Sequence, residues 1–146
     1  MNLQTYERSL EQWEETKPRG RVLLAEDNRA MREFLEIALR QRGYEVVSAR
    51  GGPDLLAVLE ERLTDYEIPP PGTVIVSDLR MPQIDGFRVL EKMRSLGWSI
   101  PVILITAFGD EEAHKQAETL GAFAMLDKPF EIGVLVQRIR EALSCN

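Results

Sequence analysis

The sequence predicts an α/β fold in which one parallel sheet is covered by helices on both faces. Short apolar runs rich in β-branched residues, such as residues 74–76, alternate along the chain with amphipathic stretches of helical spacing. Strands that are apolar throughout are typical of parallel sheets buried on both faces. Several of these runs end abruptly in polar side chains, and in open α/β sheets ligands bind at the carboxyl ends of the strands.

Composition indicates one soluble globular domain with a core of its own. The chain has 146 residues, of which 44% are hydrophobic and 29% are charged. Its net charge of -6 argues against direct binding of nucleic acid by the bulk surface. The single cysteine, Cys145, excludes an internal disulfide and suits a reducing compartment. Because the N-terminus is polar and no apolar run approaches membrane length, we expect a cytoplasmic protein without membrane contact.

Residues 1–19 are predicted to be a polar N-terminal extension, and residues 20–146 the folded domain. Four apolar residues of the extension recur at helical spacing. They are Leu3, Tyr6, Leu10 and Trp13. One interpretation is a short amphipathic helix that docks on a partner. The other, which we take as the default, is a frayed extension.

Five strand and helix pairs follow in order. Apolar runs bounded by turn or polar residues predict strands near residues 22–25, 45–48, 74–76, 101–105 and 123–126. Apolar stripes of helical period predict helices over residues 29–42, 51–64, 86–96, 110–120 and 130–144. Gly43, Gly97 and Gly121 follow three of these helices as terminators. Residues 65–72 contain three consecutive prolines and are predicted to form an exposed loop.

This order of elements fits a flavodoxin-like, doubly wound, five-stranded sheet with the strand order 2-1-3-4-5. Four of the strands then end side by side at one edge. Their ends carry Glu26 with Asp27, Asp78, Thr106 and Lys128. Each of these residues alone could be a helix cap or a turn residue. Chance does not account for all of them at the ends of adjacent strands.

The residue types at these strand ends predict aspartyl-phosphate chemistry. Grouped carboxylates repel one another and raise one another's pKa unless a cation joins them. Oxygen ligands suit Mg²⁺, which leaves room for a phosphate group. Lys128 supplies a positive charge for a phosphoryl oxygen, and Thr106 supplies a hydroxyl donor. Together with an aspartate nucleophile, Asp78, these are the components of an aspartyl-phosphate site.

The motifs around these positions resemble the receiver domain of two-component response regulators. The matching segments are LAEDN at 24–28, DLRMPQIDG at 78–86, ITA at 105–107 and KPF at 128–130. The segments TAFGD at 106–110 and GAF at 121–123 also resemble receivers attached to enhancer-binding transcription activators.

The resemblance implies a phosphorylation-controlled signalling switch rather than a conventional enzyme. Such a domain accepts a phosphoryl group on Asp78 from a sensor histidine kinase or a phosphotransfer protein, with Mg²⁺. It catalyses only its own phosphorylation and dephosphorylation. The partners implied are a downstream output protein, or an output domain outside this sequence, and a second copy in a homodimer on activation. By family geometry, the kinase is expected to dock near residues 29–39.

The resemblance also implies a role for each site residue. Asp27, Asp78 and the backbone carbonyl of Arg80 would bind Mg²⁺ directly, and Glu26 would act through a water molecule. Apart from the resemblance, the positions of Arg80 and Phe108, two residues beyond Asp78 and Thr106, lead us to expect that their side chains flank the mouth of the site and hinder an attacking water.

Around the phosphoryl group, Thr106 and Lys128 would hold the oxygens, and the Lys128–Pro129 peptide bond would be cis. One position departs from the family pattern. Receivers usually have Tyr or Phe three residues before the lysine, and this chain has Met125. We therefore predict a soft switch formed by Thr106 and Met125, with an active-like population before phosphorylation. The alternative is that Met125 is a strand residue packing on the last helix.

Other functions on the same fold are less well supported by the residues. A Mg²⁺-dependent phosphohydrolase of the haloacid-dehalogenase type would have a second aspartate two residues after the nucleophile, where this chain has Arg80. Flavin or nucleotide binding lacks a glycine-rich phosphate loop after residues 22–25. An unphosphorylated pseudo-receiver scaffold would not need the intact acids, Thr106 and Lys128.

Overall fold

The computed structural model describes residues 2–16, 18–64, 72–107 and 109–144. The elements in chain order are α1 (Leu3–Thr16), β1 (Arg21–Ala25), α2 (Arg29–Gln41), β2 (Glu45–Ala49), α3 (Gly52–Thr64), β3 (Thr73–Asp78), α4 (Gly86–Ser95), β4 (Val102–Thr106), α5 (Glu111–Thr119), β5 (Ala124–Asp127) and α6 (Ile132–Ser144). The predicted proline loop, except Gly72, lies outside the described residues, as do Phe108 and Cys145. Within the described part of the chain, no helix is both long and apolar enough to cross a membrane.

The five strands form one parallel sheet in the order β2-β1-β3-β4-β5, which confirms the predicted topology. The central strand β3 is buried along its whole length. Ala25 pairs with Ser77 in the neighbouring strand, and Thr106 pairs with Asp127. The carboxyl ends of β1, β3, β4 and β5 therefore meet at one edge of the sheet.

Apolar side chains on the two faces of the sheet form two separate cores. On one face, Leu104 packs with residues of α3, α4 and α5, including Met93. On the other, Ile103 packs with residues of α2 and α6, including Ile139. Because successive residues of a strand point to opposite faces, β4 contributes to both cores. The sheet is thus covered on both faces, as the fully apolar strands predicted.

Helix termini are set by short polar side chains and by glycine. The side chains of Asn28, Asp85 and Asp110 each accept a hydrogen bond from the backbone N–H three residues later, at the start of α2, α4 and α5. Gly43 and Gly121 follow α2 and α5 with φ angles of 90° and 83°, as predicted for helix terminators.

Some boundaries differ from the sequence-based prediction. The strand predicted near residues 74–76 extends further, and Asp78 is its last residue. The N–H of the next residue, Leu79, donates to the carbonyl of Ile105 at 2.8 Å and so continues the ladder. The last helix begins at Ile132 rather than at residue 130, because the Lys128–Pro129 turn precedes it. The N-terminal extension contains a helix, α1, rather than a frayed segment.

A single arginine joins the loops at the amino edge of the sheet. The guanidinium of Arg94, near the end of α4, donates to the carbonyls of Trp98 at 2.8 Å and Ile100 at 3.1 Å. It also donates to the carbonyl of Gly121 at 3.0 Å, in the turn before β5. One side chain therefore fixes the entries to both β4 and β5, at the end of the sheet opposite the predicted site.

Candidate functional site

Three carboxylates meet at the carboxyl edge of the sheet. Asp78 is buried at the end of β3, and Glu26, directly after β1, is 0% exposed. Asp27 is exposed beside them. One oxygen from each carboxylate lies within 4.8 Å of the others, so the cluster could hold a metal ion. The structure therefore brings together the acids that the strand order predicted to converge.

Lys128 extends from the turn after β5 to two of these acids. Its Nζ lies 3.1 Å from Asp78 Oδ2 and 3.3 Å from Glu26 Oε2. Its backbone N–H donates to the carbonyl of Thr106 at 2.7 Å, which holds the turn against the end of β4. The preceding strands thus position an ammonium group against the aspartate that the sequence predicts to be the nucleophile. The Lys128–Pro129 bond is cis, as the family resemblance implied.

The pKa values of Glu26 and Lys128 are both raised by their surroundings, with different consequences for their charge. Burial, with repulsion from Asp78, raises the pKa of Glu26 to about 7, although Lys128 opposes the shift. Burial lowers the pKa of Lys128, but hydrogen bonds and charges from Asp78 and Glu26 outweigh that effect and raise it overall. Lys128 therefore stays positively charged at neutral pH, while Glu26 exchanges a proton in that range.

Backbone contacts hold the loops that carry the acids. The N–H of Arg80 donates to Asp78 Oδ1 at 3.2 Å, and the N–H of Asn28 donates to Glu26 Oε1 at 3.2 Å. A Cβ at Gly86, the first residue of α4, would lie 3.0 Å from the carbonyl oxygen of Asp78. Gly86 therefore lets α4 begin close to the end of β3. Arg80 itself is exposed and lines a cavity of about 300 Å³ beside the site.

Thr106 and Met125 lie on the side of the sheet that faces α5. Thr106 is fully buried at the end of β4. Met125 pairs with Leu104 and packs against the core formed with α3, α4 and α5. Its neighbours Ala124 and Leu126 pack on the opposite core, which contains α6. Met125 therefore lies on the same face as Thr106, and the alternative that it packs on the last helix is wrong.

A histidine and carboxylate pair beside Thr106 was missed by the sequence analysis. His114 Nε2, in α5, lies 3.1 Å from Asp127 Oδ2, at the end of β5. A Cβ at Gly109 would overlap Asp127 Oδ1 and lie 3.0 Å from both Thr106 Cγ2 and His114 Nε2. The turn after β4 thus packs against this pair. Strand alternation could have placed Asp127 on the face of Met125, but no spacing rule joins it to a helix residue thirteen positions away.

Comparison with known proteins identifies the domain. The family model for the response regulator receiver domain matches residues 22–140. The chain belongs to this family. Among curated relatives, the receiver is 34% identical over 126 residues to the DNA-binding transcriptional regulator NtrC of Salmonella typhimurium, covering 86% of this chain and 25% of that protein. It is 35% identical over 119 residues to response regulator RR06 of Streptococcus pneumoniae, covering 82% of this chain and 51% of that protein.

A solved structure gives the same assignment. Full-length FixJ from B. japonicum matches with 30% identity and a TM-score of 0.76, covering 88% of this chain and 59% of that one. Receiver domains of two-component systems are signalling switches rather than conventional enzymes. The receiver spans about a quarter to a half of the length of the curated relatives named above. The expectation of no contact with nucleic acid gains no support from these relatives, one of which is named as DNA-binding.

Proposed function

We propose that this receiver domain is a switch controlled by phosphorylation of Asp78. The observation that carries the proposal is the contact of the Asp78 carboxylate with the Lys128 ammonium, beside two further acids at the open edge of the sheet. In the reaction, an oxygen of Asp78 forms a bond to the phosphorus of the donor while the bond from phosphorus to the donor's leaving group breaks. Lys128 and the Thr106 hydroxyl would stabilise the phosphoryl oxygens.

The acidic cluster fits Mg²⁺. Its donors are carboxylate oxygens within 4.8 Å of one another, which is the chemistry that hard divalent cations prefer. Asp27, Asp78 and the carbonyl of Arg80 would hold the ion, with Glu26 acting through water. When bound, Mg²⁺ neutralises charge on the phosphoryl group. The one ammonium of Lys128 carries less charge than the three carboxylates, so a bound divalent cation would reduce the repulsion between them.

Phosphorylation by a small-molecule donor tests this function directly. With acetyl phosphate and Mg²⁺, the wild-type protein should gain a phosphoryl group that is labile to base and hydroxylamine. Asp78→Asn should reduce uptake by about a hundredfold or more, since it removes the nucleophile. Asp27→Asn should weaken Mg²⁺ binding. The measurement is intact-protein mass spectrometry with and without Mg²⁺.

Asp54→Asn, at an exposed position of α3, is the matched control and should behave as wild type. Equal uptake by Asp78→Asn would contradict the assignment of the phosphoacceptor. Unchanged Mg²⁺ affinity in Asp27→Asn would remove that residue as a ligand.

The partners follow from the same function. We propose that a sensor histidine kinase or phosphotransfer protein docks over residues 29–39 of α2. The start of this helix lies nearest the site, and there the guanidinium of Arg32 donates to the carbonyl of Glu26 at 2.9 Å. An output domain or protein, such as the relatives carry, would read the phosphorylated state, with a homodimer forming on activation.

The domain boundary at residue 20, the cytoplasmic location and hindrance of water by Arg80 stay predictions. The role predicted for Phe108 lies outside the described residues.

We further propose that Met125 carries the conformational response of Thr106. A side chain with three rotatable bonds can fill space left when the phosphoryl group draws the threonine hydroxyl inward. The switch is measured as partner affinity, or as amide exchange over residues 110–125, with and without beryllium fluoride. Met125→Tyr should increase the ratio between these two states by about tenfold. Met125→Ala should narrow it, because the smaller side chain cannot fill the space. Asp78 phosphorylation rates should stay similar, and an equal ratio in all three proteins would exclude Met125 from the switch.

A further inference from the structure

Helix α2 has an exposed apolar stripe next to its buried face. Ala30, Phe34, Ile37 and Gln41 are all exposed and succeed one another at intervals of four, three and four residues. The large side chains Phe34 and Ile37 are 55% and 59% exposed. Residues at this spacing share one face of a helix. The stripe therefore has the spacing of a surface that packs against another helix. In this structure, however, its two large apolar side chains are exposed to solvent.

Helix α1 has a stripe of the complementary spacing. Leu3, Tyr6, Leu10 and Trp13 succeed one another at intervals of three, four and three residues, which is the narrow seam of a helix that packs against one other helix. Leu3 and Tyr6 are 70% and 53% exposed. The side chains of Leu10 and Trp13 lie outside the part of the chain that the structure describes, so their place in this seam is predicted from the sequence.

The chain path brings the end of α1 to the end of α2. The N–H of Arg19 donates to the carbonyl of Gly43, just after α2, at 2.9 Å. A Cβ at Gly20 would meet the side chain of Leu143 in α6, so the chain enters β1 beside α2 and α6. Four residues, 17–20, separate α1 from β1. A connection of this length is typical between a helix and the strand that follows it antiparallel.

Folded back through this connection, α1 would run in the same direction as α2. Its 14 residues span about 21 Å and the 13 residues of α2 about 20 Å, so the two seams would overlap over nearly their whole length. Counted from the shared amino edge of the sheet, Trp13 would stand level with Ile37 and Leu10 with Phe34.

Charge selects α2 over a second copy of α1 as the partner. Residues 3–16 contain four glutamates and one arginine, a net charge of -3. Residues 29–42 contain four arginines and two glutamates, a net charge of +2. Pairing α1 with α2 brings opposite charges together, whereas pairing two copies of α1 brings like charges together.

In the structure Leu3, Tyr6, Phe34 and Ile37 are all exposed, so α1 is not seated on α2 there. From the spacing and the charge of the two helices we infer that α1 folds back onto α2 of its own chain and covers Phe34 and Ile37. These residues lie within the segment 29–39, so the docked helix would also cover the surface proposed for the kinase. That consequence rests on the proposed function, whereas the docking itself does not.

Hydrogen exchange of the full chain tests the docking without any phosphorylation. An isolated helix of 14 residues is marginal in water, so an undocked α1 should exchange its amides within about tenfold of an unfolded chain. Docking should slow exchange in α1 by about a hundredfold. Trp13→Asp should remove this protection, and so should Phe34→Ser with Ile37→Ser. The adjacent Gln12→Asp, which adds the same charge outside the seam, should keep it.

Sedimentation velocity at several protein concentrations separates this arrangement from pairing between copies. The inference expects α1 to be protected equally at all concentrations in a monomeric protein. Fast exchange of α1 at every concentration would overturn it. The inference would also be overturned if protection of the α1 amides increased as a dimer formed and if Trp13→Asp abolished both. That result would assign the apolar seam of α1 to contact with a second copy.

Discussion

Lys128→Met is expected to abolish most phosphorylation of Asp78 and at the same time to strengthen binding of divalent cations. In the structure the Lys128 ammonium lies 3.1 Å from Asp78 and 3.3 Å from Glu26, where it partly neutralises both acids. Without it, the acids attract a cation more strongly, and we expect Mg²⁺ affinity to rise by about tenfold. The phosphoryl group loses a charged donor, and loss of one such group typically costs about a hundredfold to a thousandfold in rate.

The two effects are measured separately, by calorimetric titration with Mg²⁺ and by the rate of uptake from acetyl phosphate at saturating Mg²⁺. Lys92→Met, at an exposed position of α4, is the control and should change neither. A parallel loss of Mg²⁺ affinity and phosphorylation would show instead that Lys128 organises the metal ligands, and would contradict the assigned role.

Glu26→Gln is expected to remove a pH dependence of both metal binding and stability. The pKa of Glu26 is about 7 in the folded protein, against 4.5 for an unperturbed glutamate. A bound cation favours the ionised carboxylate, so Mg²⁺ affinity of the wild type should fall by up to about tenfold for each pH unit below 7. Above pH 7 the affinity should be constant. Binding at about pH 6 should also release a proton, which titrations in buffers of different ionisation enthalpy detect.

The sign of the stability effect follows from the same shift. Because the folded state binds the proton more tightly than the unfolded state, the stabilisation from protonated Glu26 is present below pH 4.5. It is lost as the pH rises to about 7. Without Mg²⁺, the ionised group then costs up to about 3 kcal/mol of unfolding free energy.

Glu26→Gln should therefore raise the unfolding free energy by about 1–3 kcal/mol at pH near 8 and by much less at pH near 5. Urea denaturation in EDTA measures this difference. Glu33→Gln, an exposed acid of α2, should show no such pH dependence. If Glu26→Gln destabilises the protein equally at both pH values, the carboxylate is not strained by its burial.

Much of the fold could be predicted because the local patterns of the sequence agree with the global structure. β3 is apolar from Val74 to Val76, and a strand buried on both faces leaves few alternatives to a parallel sheet. Gly43 and Gly121 end helices where a left-handed residue is needed. The prediction was weaker at the boundaries, because one ladder hydrogen bond, such as that from Leu79, decides whether Asp78 belongs to the strand.

The residues of the site could be predicted from the sequence, but the burial and charge state of each could not. Strand order alone brings Glu26, Asp78 and Lys128 together. It does not reveal that Glu26 is fully buried while its neighbour Asp27 is exposed, which depends on side-chain packing. The contact of His114 with Asp127 was also beyond the sequence, since it joins a helix face to a strand end across the turn at Gly109.

The arginine that joins the loops at the amino edge of the sheet has a mechanical consequence. Arg94 bonds to carbonyls ahead of both β4 and β5, whereas the proposed phosphoacceptor lies at the opposite ends of the strands. One end of this region is therefore held through three backbone carbonyls, whereas the other, held by the contact of His114 with Asp127, lies beside the charged site and is exposed to a change of charge. A displacement started at Asp78 would then tilt α5 about its clamped end rather than translate it. A partner that binds the start of α5, near Asp110, would sense a larger movement than one that binds near Gly121.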